Sequence, residues 1–490
     1  MLAFVAIPAL LNRFTLAALF AAGLLAPQLI GHAALALPQA PLADVKPADD
    51  DHDHGPSASG GLVLDAAAIK ANSAAPVPKL IKPEVLSEVQ RLLAAPSVRQ
   101  ALEILKTDES RFIQEAIQIT EIPAPTFSEA ARAKAFAQML RSNGLRDVRI
   151  DAIGNVIGVR KGSGKGPTVA IIGHLDTVFP ADTDVKVSKR GNRLYGRGLT
   201  DDSAAMAMQL TWLRALDKAK LRTVGDLVFV ASVGEEGNGD LRGVKAFFKE
   251  NPKIDGVVVI EPAPDGAAAI MNTGSHRFQV DFKGPGGHSF VAYGQVPSAI
   301  NGIGRLITKI ADLKLPELPK TTVNVGIVKG GRSVNTIAPD ASIEIDIRSN
   351  GGEELKAATK QVLQFVEQSV AEENARWGKT SLTVSIKQIG ARPGGMTAPE
   401  QPIVHAWLAA SSSLGIQPFI LGGGSTDGGV PISLGIPTIV LGFGGKTFGF
   451  HAMDESWIPT NAYKGVQVSF VSLLAMAGVD GVLTPVLAIR

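Results

Sequence analysis

The chain has 490 residues, 45% hydrophobic and 19% charged, with 52 glycines and a formal charge of +2. That length suggests two folded domains, and the balance excludes disordered and fibrous classes and gives no field for nucleic acid or a membrane surface. Cysteine is absent, which excludes disulfides, thiolate catalysis and cysteine zinc sites and leaves His, Asp and Glu as the only strong metal ligands.

In chain order, residues 14–26 (FTLAALFAAGLLA) form an apolar run after Arg13 and lead to Ala34-Leu35-Ala36, a small-x-small cleavage pattern. Residues 1–36 are expected to be a signal peptide that exports the chain to the periplasm or beyond. An uncleaved membrane anchor is the alternative, because Arg13 is the sole charge of the leader's first part. Residues 37–82, rich in Pro, Ala, Asp, Gly and Ser, read as a disordered linker. Its DDDHDH tract carries His52 and His54, yet nothing nearby would fix ligand geometry, so a solvated acidic tether is the expectation.

From Pro83 helical patterns alternate with short apolar runs, the signature of βαβ units around a largely parallel sheet. Strands are predicted at 167–174, 226–233 and 256–262, with a helix from Asp202 to about Ala219. Each of these strands ends near a His or a carboxylate, and ligands gather at the carboxyl edge of open α/β sheets. Between His276 and Gly390 the order becomes βαββαβ, which predicts a ferredoxin-like α+β domain. The α/β pattern then resumes, with a strand at PTIVLG and a last helix over 461–478. The expected fold class is therefore α/β, an αβα catalytic domain over 83–275 and 391–490 with an α+β lid domain inserted at 276–390.

Several short motifs carry the chemistry. In HLDTV, His174 and Asp176 stand two apart at a strand end and leave the same face, so one can bind metal while the other accepts the second ring N–H. GRGLTDD offers Asp201 and Asp202 in a glycine-bracketed turn, although an aspartate before a helix is also an ordinary N-cap. In SVGEEG the adjacent Glu235 and Glu236 repel each other, which a cation would relieve. One could then bind metal while its neighbour acts as general base. Glu261 ends the run VVVIEP, and His451 lies far along the chain in GFHAMDESW, after a glycine-rich stretch that reads as a loop. His174, Asp201, Glu236, Glu261 and His451 make a two-His, three-carboxylate set suited to a pair of zinc ions bridged by Asp201. His276 and His405 belong to no motif and read as structural.

The succession HLDTV, GRGLTDD, GEEG, IEP, GPGGHS, RSVNTIAPD with DIRS, and FHAMDE resembles the co-catalytic zinc metallopeptidase family of aminoacylase, glutamate-releasing carboxypeptidase, succinyl-diaminopimelate desuccinylase and peptidase T. The resemblance runs from about residue 105 to 480. It implies two zinc ions per chain, with cobalt or manganese as substitutes, held by His174, Asp201 and Glu261 on one side and by Asp201, Glu236 and His451 on the other. It implies Glu235 as general base, Asp176 as the group that orients His174, and a lid that forms a homodimer through residues 276–390. His288 in GPGGHS would reach a neighbouring subunit's site and steady the oxyanion, while Asn335 and Arg348 match substrate-carboxylate binders. Arg348 also reads as a plain outward residue on an edge strand.

Two details bear on the branch. Asp202-Ser203-Ala204-Ala205 stands where many relatives have Lys and paired glycines, and GGGSTDGGVPISLGIP looks most like peptidase T and the carboxypeptidases. The expected activity is exopeptidase cleavage of terminal amide bonds in small peptides. Deacylation of N-acyl amino acids uses the same chemistry and is the alternative. A metal- or peptide-binding protein without catalysis is a remote third.

Overall fold

The computed structural model describes residues 81–490, so the leader, His52 and His54, and all but the last two residues of the linker lie outside the described residues. Among them no helix is long and apolar enough to cross a membrane.

The centre of the molecule is an eight-stranded sheet whose middle strands are continuous apolar runs. Val169–His174 and Leu227–Ser232 are buried at every position, as strands covered on both faces must be. Val169–His174 lies between Leu227–Ser232 and Gly256–Glu261, parallel to both, and Gly256–Glu261 is followed by Thr438–Gly442, also parallel. The expected parallel sheet holds there but not at the flanks. Asp147–Ile150 and Val156–Arg160 extend one side antiparallel, and Ala267–Ala269 runs antiparallel to Thr438–Gly442 on the other.

One face of the sheet carries the larger core, built with the helices Pro83–Ala94, Pro96–Thr107, Glu109–Thr120, Ala204–Lys218, Pro402–Ser413 and Tyr463–Ala477. Ala204–Lys218 is buried on every side from Ala204 to Leu216, so it lies inside the layer rather than on it. The other face is covered mainly by Arg242–Glu250, whose Val244, Phe247 and Phe248 close a second cluster.

The inserted domain has its own antiparallel sheet, ordered Thr321–Gly330, Asp340–Ser349, Gly274–Lys283, Thr383–Arg392. Asp340–Ser349 alternates buried and half-exposed positions, the pattern of a sheet with one face packed. The helices Ala299–Ala311 and Gly352–Arg376 pack on that face and share a separate core with Phe282, Ile343, Ile345 and Val362. The strand order and the βαββαβ sequence are ferredoxin-like.

A further four-stranded sheet was not visible in the apolar pattern. It joins Ser188–Arg190 and Arg193–Tyr195 to Lys446–Phe448 and Ser456–Ile458. Its strands are three residues each, too short to show a period. This sheet carries the loop that holds His451 across the chain to Asp201.

Candidate metal and catalytic site

The central strands bring their carboxyl ends into one row. His174 is level with Ser232 across the parallel pair, and Glu261 closes the next strand opposite Gly442. Asp201 sits in the irregular turn Leu199–Ser203, entered through Gly198 in the left-handed region at φ 75°. A Cβ at Gly198 would come within 2.5 Å of the Thr177 side chain, so the tight approach of this turn to the His174 strand requires glycine. The Asp201–Asp202 peptide is cis.

The two histidines meet on one carboxylate. His174 Nε2 is 2.8 Å from Asp201 Oδ1, and His451 Nε2 is 3.1 Å from Asp201 Oδ2 and 3.0 Å from Glu236 Oε1. Ligand atoms of His174, Asp201 and Glu236 all lie within 4.8 Å of one another. Burial opposes charge on Asp201, but its hydrogen bonds with His174 and His451 hold its carboxyl well below the usual range. Burial likewise opposes charge on His174, yet the bond to Asp201 and the charge of Asp202 raise it well above its ordinary value. His451 is pushed up to about 10 by its bonds to Asp201 and Glu236.

Around this centre the carboxyls crowd. Burial lifts Glu235, Glu261 and Asp202 well above the carboxylate range, and their mutual charges add to it. The buried acids outnumber the two imidazoles and the Arg392 guanidinium beside Glu235, an excess of negative charge that a cation would relieve. That donor set, hard oxygens plus two ring nitrogens, fits divalent cations such as zinc, cobalt or manganese.

His174, Asp176, Asp201, Glu235, Glu236, Glu261 and His451 thus share one site. Asp176 contributes differently from the expectation. The His174 Nδ1 bonds to the main-chain carbonyl of Asp176 at 2.9 Å, whereas the Asp176 carboxylate is 3.8 Å from the ring. That carboxylate instead accepts the N–H groups of Glu235 and Glu236, each at 3.0 Å, and the Thr126 hydroxyl at 2.9 Å. Sequence spacing puts two side chains on one face but cannot say that a turn from the next strand will claim the carboxylate first.

His288, Asn335 and Arg348 form no hydrogen bond or ion pair with the cluster among the described residues. His288 is exposed, paired with Thr336 across a short ladder, and its Nδ1 accepts from the Phe290 N–H. The Asn335 side chain accepts from Ser333, and its carbonyl accepts from the Ser289 N–H. Arg348 points outward and pairs with Asp346 on its own strand at 2.6 Å. His276 bonds Thr359, and His405 accepts the Lys82 N–H; neither joins the site.

The sequence reading missed three buried groups. Arg392, the last residue of the strand Thr383–Arg392, reaches Glu235 Oε1 at 3.3 Å, the Glu235 carbonyl at 2.5 Å and the Gly237 carbonyl at 3.2 Å. Asp427 accepts from Ser232 and is pushed up to about 6, chiefly by burial. Glu455 binds the turn that presents Asp201. The usable signal was weak: an arginine before Pro-Gly-Gly, and a carboxylate four residues beyond His451.

The profile of peptidase family M20/M25/M40 matches residues 170–474. The chain belongs to this family. As an M20/M25/M40 member it is a metal-dependent hydrolase of amide bonds. It is 26% identical over 325 residues to carboxypeptidase G2 of Pseudomonas sp. strain RS-16, covering 64% of this chain and 76% of that one. It is 24% identical over 288 residues to succinyl-diaminopimelate desuccinylase of Rickettsia bellii, covering 53% and 70%. The fold is similar to that of aminopeptidase PepT from Bacillus cereus, with a TM-score of 0.63 at 22% identity over 74% of this chain and 97% of that one. It is also similar to the YXEP protein of Bacillus subtilis, a dinuclear metal binding peptidase of the M20 family, with a TM-score of 0.57 at 17% identity over 75% and 99%.

Proposed function

We propose that this member is a two-metal exopeptidase of the carboxypeptidase and peptidase T kind, releasing a terminal residue from small peptides. The observation that carries the reading is Asp201 offering one oxygen to His174 and the other to His451, which itself meets Glu236. His174, Asp201 and Glu261 would hold one divalent cation, and Asp201, Glu236 and His451 the other. When bound, the pair supplies Lewis acidity that polarises the scissile carbonyl.

Glu235 is the proposed base. It sits beside the ligand Glu236, its N–H is fixed by Asp176, and burial favours its protonated form. Once ionised, a carboxylate whose proton affinity burial has raised takes the proton of the attacking water and returns it to the leaving amine. Arg392 at 3.3 Å limits where that carboxylate can swing.

Deacylation of an N-acyl amino acid by the same groups is the second reading, favoured by the similarity to a desuccinylase. We further propose that two copies pair through residues 276–390, which lets His288 serve the partner's site, and that residues 1–36 export the chain. The test is metal content and hydrolysis before and after chelation. About two zinc ions per chain, with zinc-restored cleavage, is the expected result. Glu235→Gln is expected to keep its metal while kcat collapses; metal loss in that variant would reverse the assignment of base and ligand. N-blocked dipeptides against free dipeptides and N-acetyl amino acids then separate the substrate classes.

A further inference from the structure

We propose that Glu455 is a positioning residue for the metal centre, holding the turn that carries Asp201 so that its two oxygens face His174 and His451. The proposal rests on the two-metal reading above. Glu455 is buried, at 1% exposure, and touches none of the ligand side chains by a hydrogen bond. Its carboxylate collects four donors from one turn: the Gly198 N–H on Oε2 at 2.8 Å, and the Thr200 N–H and hydroxyl at 2.8 Å and the Asp201 N–H at 3.3 Å on Oε1. Its main chain is tied in as well, with its carbonyl accepting from the Gly196 N–H at 3.1 Å and its N–H donating to the Ala452 carbonyl at 3.0 Å.

One side chain therefore joins the Asp201 turn to the His451 loop, 254 residues away in the chain. The turn's other ties include the bonds of the Ser203 N–H and hydroxyl to the Gly198 carbonyl and of the His174 N–H to Asp202. Leu199–Ser203 is irregular, with Asp201 and Asp202 outside helical geometry, so the regular helix ladder does not fix the orientation of Asp201. Three N–H groups pointing into a buried space need an acceptor, and the two Glu455 oxygens accept from all three and from the Thr200 hydroxyl. If the turn relaxes, Asp201 no longer reaches both imidazoles, and the ligand set loses its shared member.

Glu455→Gln keeps the volume but turns an N–H₂ toward either Gly198 or the Thr200–Asp201 donors, setting donor against donor. Thr200→Val removes the hydroxyl bond alone. Zinc affinity is to be measured by chelator competition on each metal-stripped variant, with circular dichroism and melting of the metal-free proteins alongside. Glu455→Gln is expected to weaken zinc binding about tenfold or more, the size typical for groups that orient ligands. Thr200→Val is expected to weaken it less, and the double variant to be no worse than Glu455→Gln, because both act through one contact. Zinc affinity that stays at the wild-type value in Glu455→Gln overturns the proposal, as does a fall that the metal-free melting loss fully accounts for. Should Glu455→Gln not fold, Thr200→Val decides: unchanged affinity there overturns it. Wild-type protein that takes up no zinc instead sinks the two-metal reading itself.

Discussion

Two adjacent glutamates after a glycine have no direction of their own, and at this site the Asp176 carboxylate supplies one. It accepts from the N–H of Glu235 and of Glu236, one on each oxygen, and from Thr126. Hydrogen bonds to a charged, buried acceptor contribute about 1.5–3 kcal/mol each, enough to hold the turn against the repulsion of its acids. Asp176→Asn keeps the main-chain carbonyl that binds His174 but places an amide N–H₂ against one of the two N–H donors. If the carboxylate is the brace, kcat falls about tenfold to a hundredfold, the range seen when groups that orient active residues are changed, and KM moves little. Steady-state kinetics on zinc-loaded Asp176→Asn checks this, and a kcat within twofold of wild type by this measure, with about that precision, would leave the brace without a function.

At the scale of elements, the turn that bears Glu235 is fastened to the inserted domain as well as to its own strand. Arg392 binds the carbonyls of Glu235 and Gly237, Arg277 also reaches the Gly237 carbonyl at 3.2 Å, and the Ala391 N–H meets Asp240 at 2.9 Å. The ends of two strands of the inserted sheet thus grip the segment from Glu235 to Asp240. Arg392→Lys keeps the charge but cannot span three acceptors with a single ammonium group. It is expected to lose kcat/KM by about one to two orders of magnitude, with Arg392→Ala worse, since loss of a buried pair strands its partner at about 3–5 kcal/mol. Equal activity of the alanine variant, assayed at saturating zinc, would show that the grip does not reach the chemistry. This fastening was illegible in the sequence, and the reason is physical. The strands predicted at 226–233 and 256–262 lie within a residue of Leu227–Ser232 and Gly256–Glu261, because burial on both faces makes each a continuous apolar run. The cluster of His174, Asp201, Glu235, Glu236, Glu261 and His451 was legible because metal chemistry restricts residue type. A lone arginine or glutamate working through main-chain atoms, as Arg392 and Glu455 do, leaves neither period nor motif. The same holds for Asp176, whose place was read but whose bonding partners depend on a turn from another strand.

For the molecule as a whole, the inserted sheet ends in Thr321–Gly330, an unpaired edge with Ile327 and Val328 exposed, and Phe290 nearby in sequence to His288 is 86% exposed. An uncovered edge strand with apolar side chains is a template for pairing with another chain, and a second copy of this chain supplies the same edge in reverse. His288, Asn335 and Arg348 lie in this domain, and among the described residues their side chains bond to Phe290, Ser333 and Asp346, which is compatible with the role proposed above at a partner's site. Replacing Ile327 and Val328 together by lysine should block edge pairing through charge repulsion at two exposed positions of that edge. Sedimentation of the zinc-loaded protein is expected to show a dimer for the wild type and a monomer for the double variant. Activity of the variant should fall together with that of His288→Ala, and the two changes combined should cost no more than the larger of them, since both remove one contribution. A monomeric variant with full activity would mean that each chain completes its own site, and would return His288 to the role of an ordinary exposed residue.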